Sequence, residues 1–109
     1  MNGKINKRFN TEKKILKWYL SHSLIEGHGV FAVKEISCGE VIDIAVLEMV
    51  KITFFCSKIN HSWNPCAKLI KNLNNYDVVA IQNINKDQEI TINYNHTPFF
   101  IQKPNPNWS

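Results

Sequence analysis

The feature that most constrains this chain is an internal echo: residues 30–42 align without gaps on residues 78–90. The first copy reads Val30-Phe31-Ala32-Val33-Lys34-Glu35-Ile36-Ser37-Cys38-Gly39-Glu40-Val41-Ile42. The second reads Val78-Val79-Ala80-Ile81-Gln82-Asn83-Ile84-Asn85-Lys86-Asp87-Gln88-Glu89-Ile90. Each opens as a strand, places an isoleucine where it can plug a core, passes a tight turn and enters a second strand. Gly39 and Asp87 fall in the turns, where a positive φ is needed and both residue types tolerate it. Each copy therefore reads as a hairpin, and two hairpins flanking a central segment predict small sheets folded around each other. No repeat of solenoid period and no linker divides the chain.

The rest of the chain has the same texture. From Trp18 onward, short β-branched or aromatic runs are broken by Gly, Asn, Asp and Pro, which predicts strands over 18–21, 29–33, 41–46, 76–81 and 89–94. In the third run Ile42, Ile44 and Val46 alternate with Asp43 and Ala45, the period of a half-buried strand. Helical signals are scarce. Thr11 can cap a short helix running to Lys17, but Ile15-Leu16 and Trp18-Tyr19-Leu20 fit a strand equally well. Residues 98–109 hold three prolines and are expected to be extended and irregular. The fold class is therefore all-β with little helix. At 109 residues it is one domain with a modest core.

Charge is unevenly spread. Residues 1–17 carry Lys4, Lys7, Arg8, Lys13, Lys14 and Lys17 against Glu12 alone, a net +5, whereas residues 18–109 sum to −1. We read 1–17 as a basic N-terminal arm and 18–109 as the folded domain. Such an arm can touch nucleic acid, but the near-neutral body argues against nucleic acid as the primary partner. No apolar run approaches the ~18 residues of a membrane span, and no apolar stretch follows the basic start as in a signal peptide. The expectation is an intracellular, soluble protein. Cys38, Cys56 and Cys66 are odd in number and share no CxxC spacing, and His22, His28, His61 and His96 are not spaced as ligands, so no metal site is expected.

Three patches carry chemistry. Gly27-His28-Gly29 lets backbone groups approach a ligand without Cβ interference; alone it reads as a tight turn, and it lacks the third glycine and following helix of a dinucleotide fingerprint. Asn60-His61-Ser62 offers an amide, an imidazole and a hydroxyl in succession, suited to reading a purine edge; alone it is a polar turn closed by Pro65 and packed by Trp63. Tyr94, at the end of an alternating strand, alone reads as a hydrogen-bonded core tyrosine.

In combination and in this order, the patches resemble the SET domain, the catalytic fold of a family of protein-lysine methyltransferases. The family pattern Gly-X-Gly-Val-Phe-Ala is met at 27–32, Ile-X-X-Gly-Glu at 36–40, Asn-His-Ser-X-X-Pro at 60–65, and Glu-Ile-Thr-X-X-Tyr at 89–94. The likeness runs from Trp18 to the C-terminus. It implies a β-clip of small curved sheets with a C-terminal pseudoknot, in which the Asn-His-Ser segment and the strand before Tyr94 tuck together. It also implies S-adenosyl-L-methionine as cofactor: the Gly27, His28 and Gly29 backbone would hold its methionine end, and Asn60 and His61 its adenosine end. Phe99 or Phe100 would close over the adenine, while Trp63 and Pro65 would serve the fold. A substrate lysine, on a histone tail or another lysine-bearing protein, would enter from the opposite face and meet the methyl group at Tyr94, the implied catalytic residue.

The chain departs from the pattern in identifiable places. Residues 43–59 are short where many members hold an insert that walls the peptide groove. Cys66 replaces the asparagine after the proline, Asp87 the turn glycine, and Asn93 the aspartate before the tyrosine. Thr97-Pro98-Phe99-Phe100 follows Tyr94 in place of a Cys-rich zinc-binding stretch. Compact viral and bacterial SET proteins are the nearest likeness. The competing reading is a catalytically inactive SET-like module that binds a peptide or protein through the same groove. Target protein, methylation state and oligomeric state are not encoded in any pattern the residues show.

Overall fold

The computed structural model describes residues 15–97. Phe99, Phe100, residues 1–14 of the basic arm and the proline-rich end lie outside the described residues. Strand β1 (Trp18–His22) pairs antiparallel with β2 (His28–Ala32), whose other side meets β8 (Glu89–Ile92). A two-residue strand, β5 (Asn60–His61), lies parallel to β8 and completes the first sheet in the order β1-β2-β8-β5. The second sheet contains β3 (Val41–Leu47), β4 (Lys51–Ile52), β6 (Ala67–Asn72) and β7 (Asn75–Ala80), in the order β4-β3-β7-β6. One helical turn, α1 (Phe54–Ser57), and a 3-10 turn at Tyr94–His96 are the helical elements among the described residues. The expected all-β architecture of small sheets holds.

All five expected strands exist, with ends shifted by a residue or two. Five elements went unforeseen, the 3-10 turn at Tyr94–His96 among them. β6 (Ala67-Lys68-Leu69-Ile70-Lys71-Asn72) mixes lysine with aliphatics, so its composition masks a strand edge that is mostly exposed. β4 and β5 are too short for any periodicity. α1 is signalled by Thr53, whose hydroxyl accepts the Cys56 N–H at 3.1 Å, an N-cap that its neighbouring phenylalanines disguise as a strand. The alternation in β3 is interrupted. Register shifts between Val41 and Asp43 and between Ile44 and Val46 put Ala45 and Val46 both into the core.

The two copies of the echo are not hairpins. In each, the two strands around the turn belong to different sheets: β2 and β8 meet in one, β7 and β3 in the other. The turns dock on each other's copy instead. Gly39 N–H donates to the Ala80 carbonyl and Asp87 N–H to the Ala32 carbonyl, both at 2.8 Å. Ala80 N–H donates to Glu40 and Ala32 N–H to Gln88, both at 3.0 Å. Between them Ile36 and Ile84 exchange two backbone bonds of 2.8 Å and are buried to within 1%. Each turn closes locally by the same device, with the Glu40 side chain accepting from Ser37 N–H and Gln88 from Asn85 N–H, both at 3.0 Å. Gly39 (φ 90°) and Asp87 (φ 67°) occupy the left-handed region, as the sequence requires. The reason for the exchange is the buried isoleucine. A two-residue hairpin loop would leave Ile36 and Ile84 in solvent, whereas a crossing chain buries both.

Lys17, assigned to the arm by charge, is tied to the body: its ammonium donates to the Val41 carbonyl at 2.7 Å and lies 2.8 Å from Glu40. Its hydrogen bond and charge hold the Glu40 carboxyl below its usual range.

The β3–β4 turn is strained. Val50 N–H donates to the Leu47 carbonyl at 3.1 Å, and the two central residues, Glu48 (φ 51°) and Met49 (φ 64°), are both left-handed without being glycine. This is the backbone that Asn-Gly adopts without cost. Met49→Gly is expected to raise stability by about 1 kcal/mol, read as a higher urea midpoint at unchanged m-value. A lower midpoint would show that the Met49 side chain contributes more than its backbone costs.

Candidate active site

The Gly27-His28-Gly29 segment is the far end of the β1–β2 connection. Ser23 N–H donates to the Gly27 carbonyl at 2.8 Å, and the Ser23 hydroxyl accepts from Ile25 N–H at 2.9 Å, so the loop is tightly wound. Gly27 has φ 41° and open space where a Cβ would stand. Gly29 is needed for the opposite reason: a Cβ there would lie 2.2 Å from the Glu89 carboxylate. His28 is exposed and stacks on His22 across the strand pair, ring centroids 4.8 Å apart.

Asn60 and His61, on β5, are what bring the three patches together. The Asn60 side-chain amide donates to the carbonyls of Glu26 (3.1 Å) and His28 (3.3 Å) and to the Glu89 carboxylate (2.8 Å). It therefore fastens the glycine loop to β8 from beneath. His61, 2% exposed, accepts the Tyr94 N–H on Nδ1 at 3.0 Å. That nitrogen must be unprotonated, which leaves the neutral ring its proton on Nε2. Ser62 N–H donates to the Ile92 carbonyl at 2.9 Å, so the segment runs on beside β8 past its first two residues.

Tyr94 stands at the end of this run, half-buried, its hydroxyl donating to the Ile59 carbonyl at 2.5 Å. Burial pushes its phenol pKa up, with the nearby Cys56 adding to the effect. Cys56 is itself raised to about 11 by burial, so both groups are protonated at neutral pH. Asn93 caps the 3-10 turn, its side-chain oxygen accepting Asn95 N–H at 2.9 Å. An aspartate could fill that acceptor role too, so its replacement loses charge without losing the cap. Cys66 is buried, and its thiol approaches the Glu89 carbonyl at 3.6 Å. This long, weak contact stands at the position where the family pattern has asparagine.

Trp63 and Pro65, assigned to the fold by sequence, have a surface role as well. Trp63 is half exposed and meets His61 edge-on, centroids 4.3 Å apart. With Pro65, Leu69, Ile92 and His96 it lines a cavity of about 250 Å³. That is below the roughly 300–1000 Å³ of pockets that enclose a whole drug-sized ligand. It suits one end of such a molecule. Sequence reasoning also missed Ser23 and the full part played by Glu89: a hydroxyl in a loop and a carboxylate in a strand carry no spacing signal, and only their convergence marks them.

Burial lowers the His61 pKa. The unfolded chain then takes up a proton on this imidazole before the folded protein does, so stability is held above the ordinary histidine value near 6.5 and lost as pH falls below it. Thermal midpoints measured from pH 7.5 to 5 are expected to fall, and His61→Gln should flatten that slope. An unchanged slope in the variant would remove His61 as its source.

Comparison with known proteins gives a family match and matches among solved structures. Residues 43–95 match the SET domain family, a stretch that takes in Asn60, His61 and Tyr94 and begins after the glycine loop. Among solved structures, the crystal structure of a Plasmodium falciparum protein designated a candidate histone methyltransferase aligns with a TM-score of 0.65 at 27% identity, over 77% of this chain and 97% of that one. No curated protein sequence matches the chain.

Proposed function

From its match to the SET-domain family over residues 43–95, we propose that the chain is an S-adenosylmethionine-dependent protein-lysine N-methyltransferase with a histone tail or another lysine-bearing protein segment as substrate. The observation that carries the reading is that β5 ties the three patches into one site. Asn60 holds the glycine loop and His61 holds Tyr94, so the positions that would bind cofactor and amine are fixed relative to one another.

The residues fit that cofactor. The open backbone at Gly27-His28 is suited to its methionine end, and the cavity lined by Trp63, Pro65 and Leu69 is of the size for its purine. When bound, S-adenosylmethionine supplies a methyl group already made electrophilic by the sulfonium, so the protein's task is alignment more than activation. The nucleophile is the harder problem: with a reference pKa near 10.4, roughly one lysine in 2500 is neutral at pH 7. A half-buried site shared with a cation lowers that pKa by desolvation and by like-charge repulsion.

Tyr94 has a defined part in this. Its own proton is committed to the Ile59 carbonyl, so the phenol oxygen faces the site as an acceptor. It would accept an N–H of the neutral amine and turn the nitrogen lone pair toward the methyl group. A phenolate would instead favour the ammonium form and hold the nucleophile protonated; the raised pKa of Tyr94 avoids this.

The test has two arms. A thermal-shift titration with S-adenosylmethionine should raise the apparent melting temperature, because a ligand binding only the native state stabilises it. Labelled cofactor incubated with a histone panel and a whole-cell extract should label protein lysines, with Tyr94→Phe as the blank. A thermal shift without labelling would leave the inactive binding module as the better reading, and no shift at millimolar cofactor would sink the proposal.

A further inference from the structure

Glu89, the first residue of the motif at 89–94, sits at a junction of three elements. Both its carboxylate oxygens accept from the Ser23 hydroxyl, at 2.8 and 2.9 Å, and one accepts from the Asn60 amide at 2.8 Å. Gly29 makes room for it, since its missing Cβ would fall 2.2 Å from one oxygen and 2.9 Å from the carboxyl carbon. Ser23 in turn accepts from Ile25 N–H, which winds the 23–27 loop, and Asn60 holds the Glu26 and His28 carbonyls. Both ends of the glycine loop are thus referred to one carboxylate. Among the described residues no lysine, arginine or histidine nitrogen forms an ion pair with it. A half-buried carboxylate held by two neutral donors, with no cation paired to it among the described residues, favours a ligand that carries a cation.

We propose that Glu89 is a positioning residue for the cofactor: clamped between Ser23 and Asn60 beneath Gly29, it fixes the glycine loop at the spacing that receives the methionine end and leaves a net negative charge under a ligand end that carries an ammonium group. The inference rests on the methyltransferase reading above. It does not require Glu89 to touch the ligand or to take part in methyl transfer. Its role is in binding, so its loss acts on affinity and spares the chemical step once the site is full.

Removing the carboxylate with Glu89→Ala and displacing it with Gly29→Ala interrupt the same clamp by different routes. The alanine methyl at position 29 cannot be accommodated unless the flexible end of Glu89 swings away from Ser23 and Asn60. Once Glu89 is truncated, the clash that remains is the milder 3.1 Å approach to the Asn60 amide nitrogen. The two substitutions share a partner and are expected to be strongly non-additive.

The experiment measures the dissociation constant for S-adenosylmethionine by calorimetry, turnover at saturating cofactor, and melting temperature, for wild type, Glu89→Gln, Glu89→Ala, Gly29→Ala and the double Gly29→Ala/Glu89→Ala. Each alanine single variant is expected to weaken cofactor binding at least tenfold, and Glu89→Ala to keep turnover at saturation within threefold. The double variant should bind no worse than the weaker single. Glu89→Gln, which keeps an acceptor for Ser23 but loses the charge, should fall between wild type and Glu89→Ala. A residue that only supported the fold would lower the melting temperature without this split between affinity and turnover. Unchanged affinity in Glu89→Gln and Glu89→Ala, or additive losses in the double variant, would overturn the inference while leaving the methyltransferase reading intact. Wild type that binds no cofactor would overturn both.

Discussion

Tyr94→Phe is expected to reduce methyl transfer about 100-fold or more, the scale of losing one well-placed polar group at a reacting centre, while the dissociation constant for S-adenosylmethionine changes by less than threefold. The two effects separate because the phenol hydroxyl and the ring do different things. The ring packs against the His61 imidazole with centroids 5.4 Å apart, and the backbone N–H donates to His61 Nδ1; phenylalanine keeps both. The hydroxyl is directed at the Ile59 carbonyl. On the proposed mechanism, phenylalanine would remove the acceptor that orients the nucleophile and leave the cofactor's surroundings in place. It also leaves the Ile59 carbonyl without that donor, a stability cost of about 1 kcal/mol. Initial rates at saturating cofactor and peptide, with affinity measured separately, check the split. A variant with full turnover would take Tyr94 out of the mechanism, and one that lost cofactor binding first would place the hydroxyl in the cofactor's site.

The largest stability effect is expected at the clasp between the two echo copies. Ile84→Ala should lower the unfolding free energy by about 3 kcal/mol, a large share of the 5–15 kcal/mol of a typical domain. Ile84 is fully buried and faces Ile36, itself 1% exposed, across the paired backbone bonds. Little can collapse into the space, because the surrounding backbone is pinned by exchange bonds on both sides. Ile36→Ala should cost a similar amount, and the double variant less than the sum, since the second truncation enlarges a cavity that already exists. Urea denaturation followed by tryptophan fluorescence would measure all three. A loss below about 1 kcal/mol for Ile84→Ala would mean that the clasp relaxes, and that its bonds do not hold its shape.

What the sequence made legible was local. The strand texture and the left-handed turns at Gly39 and Asp87 depend on residue type and near neighbours, and both appear in the structure. The echo was legible as a repeat but not as a pairing. Nothing within residues 30–42 says that their turn will bond to Ala80 and not to the adjacent strand, because both options satisfy the same backbone groups. The choice is made by burying Ile36 against Ile84, a contact between residues far apart in the chain. The same holds for the candidate site. Gly27, His28, Gly29, Asn60, His61 and Tyr94 could be singled out by motif, and the structure brings Asn60 to the glycine loop and His61 to Tyr94. That the Asn60 amide is taken up by the Glu26 and His28 carbonyls and by Glu89 could not be read, since an amide's partners are set by tertiary proximity. Trp63 and Pro65 illustrate the converse: a role in the fold was expected of both, and both also line the cavity.

The crossed docking of the two echo copies also bears on the order in which the chain can fold. A hairpin closes alone, in microseconds, from residues a few positions apart. Here neither turn has its partner until the other copy has been reached, so Gly39 waits for Ala80 and Asp87 for Ala32. The loop-closure entropy falls due before the main bonds form, which places this small protein with the slow, non-local β folds that take milliseconds to seconds despite its size. During synthesis β2 can pair with β1, but its other edge and the turn of the first copy stay without partners until the second copy emerges. The stretch from Val30 to Ile42, with β-branched residues at both ends, is then an exposed strand edge, and it is in that interval, before Ile84 arrives, that the chain is most open to association with another copy of itself.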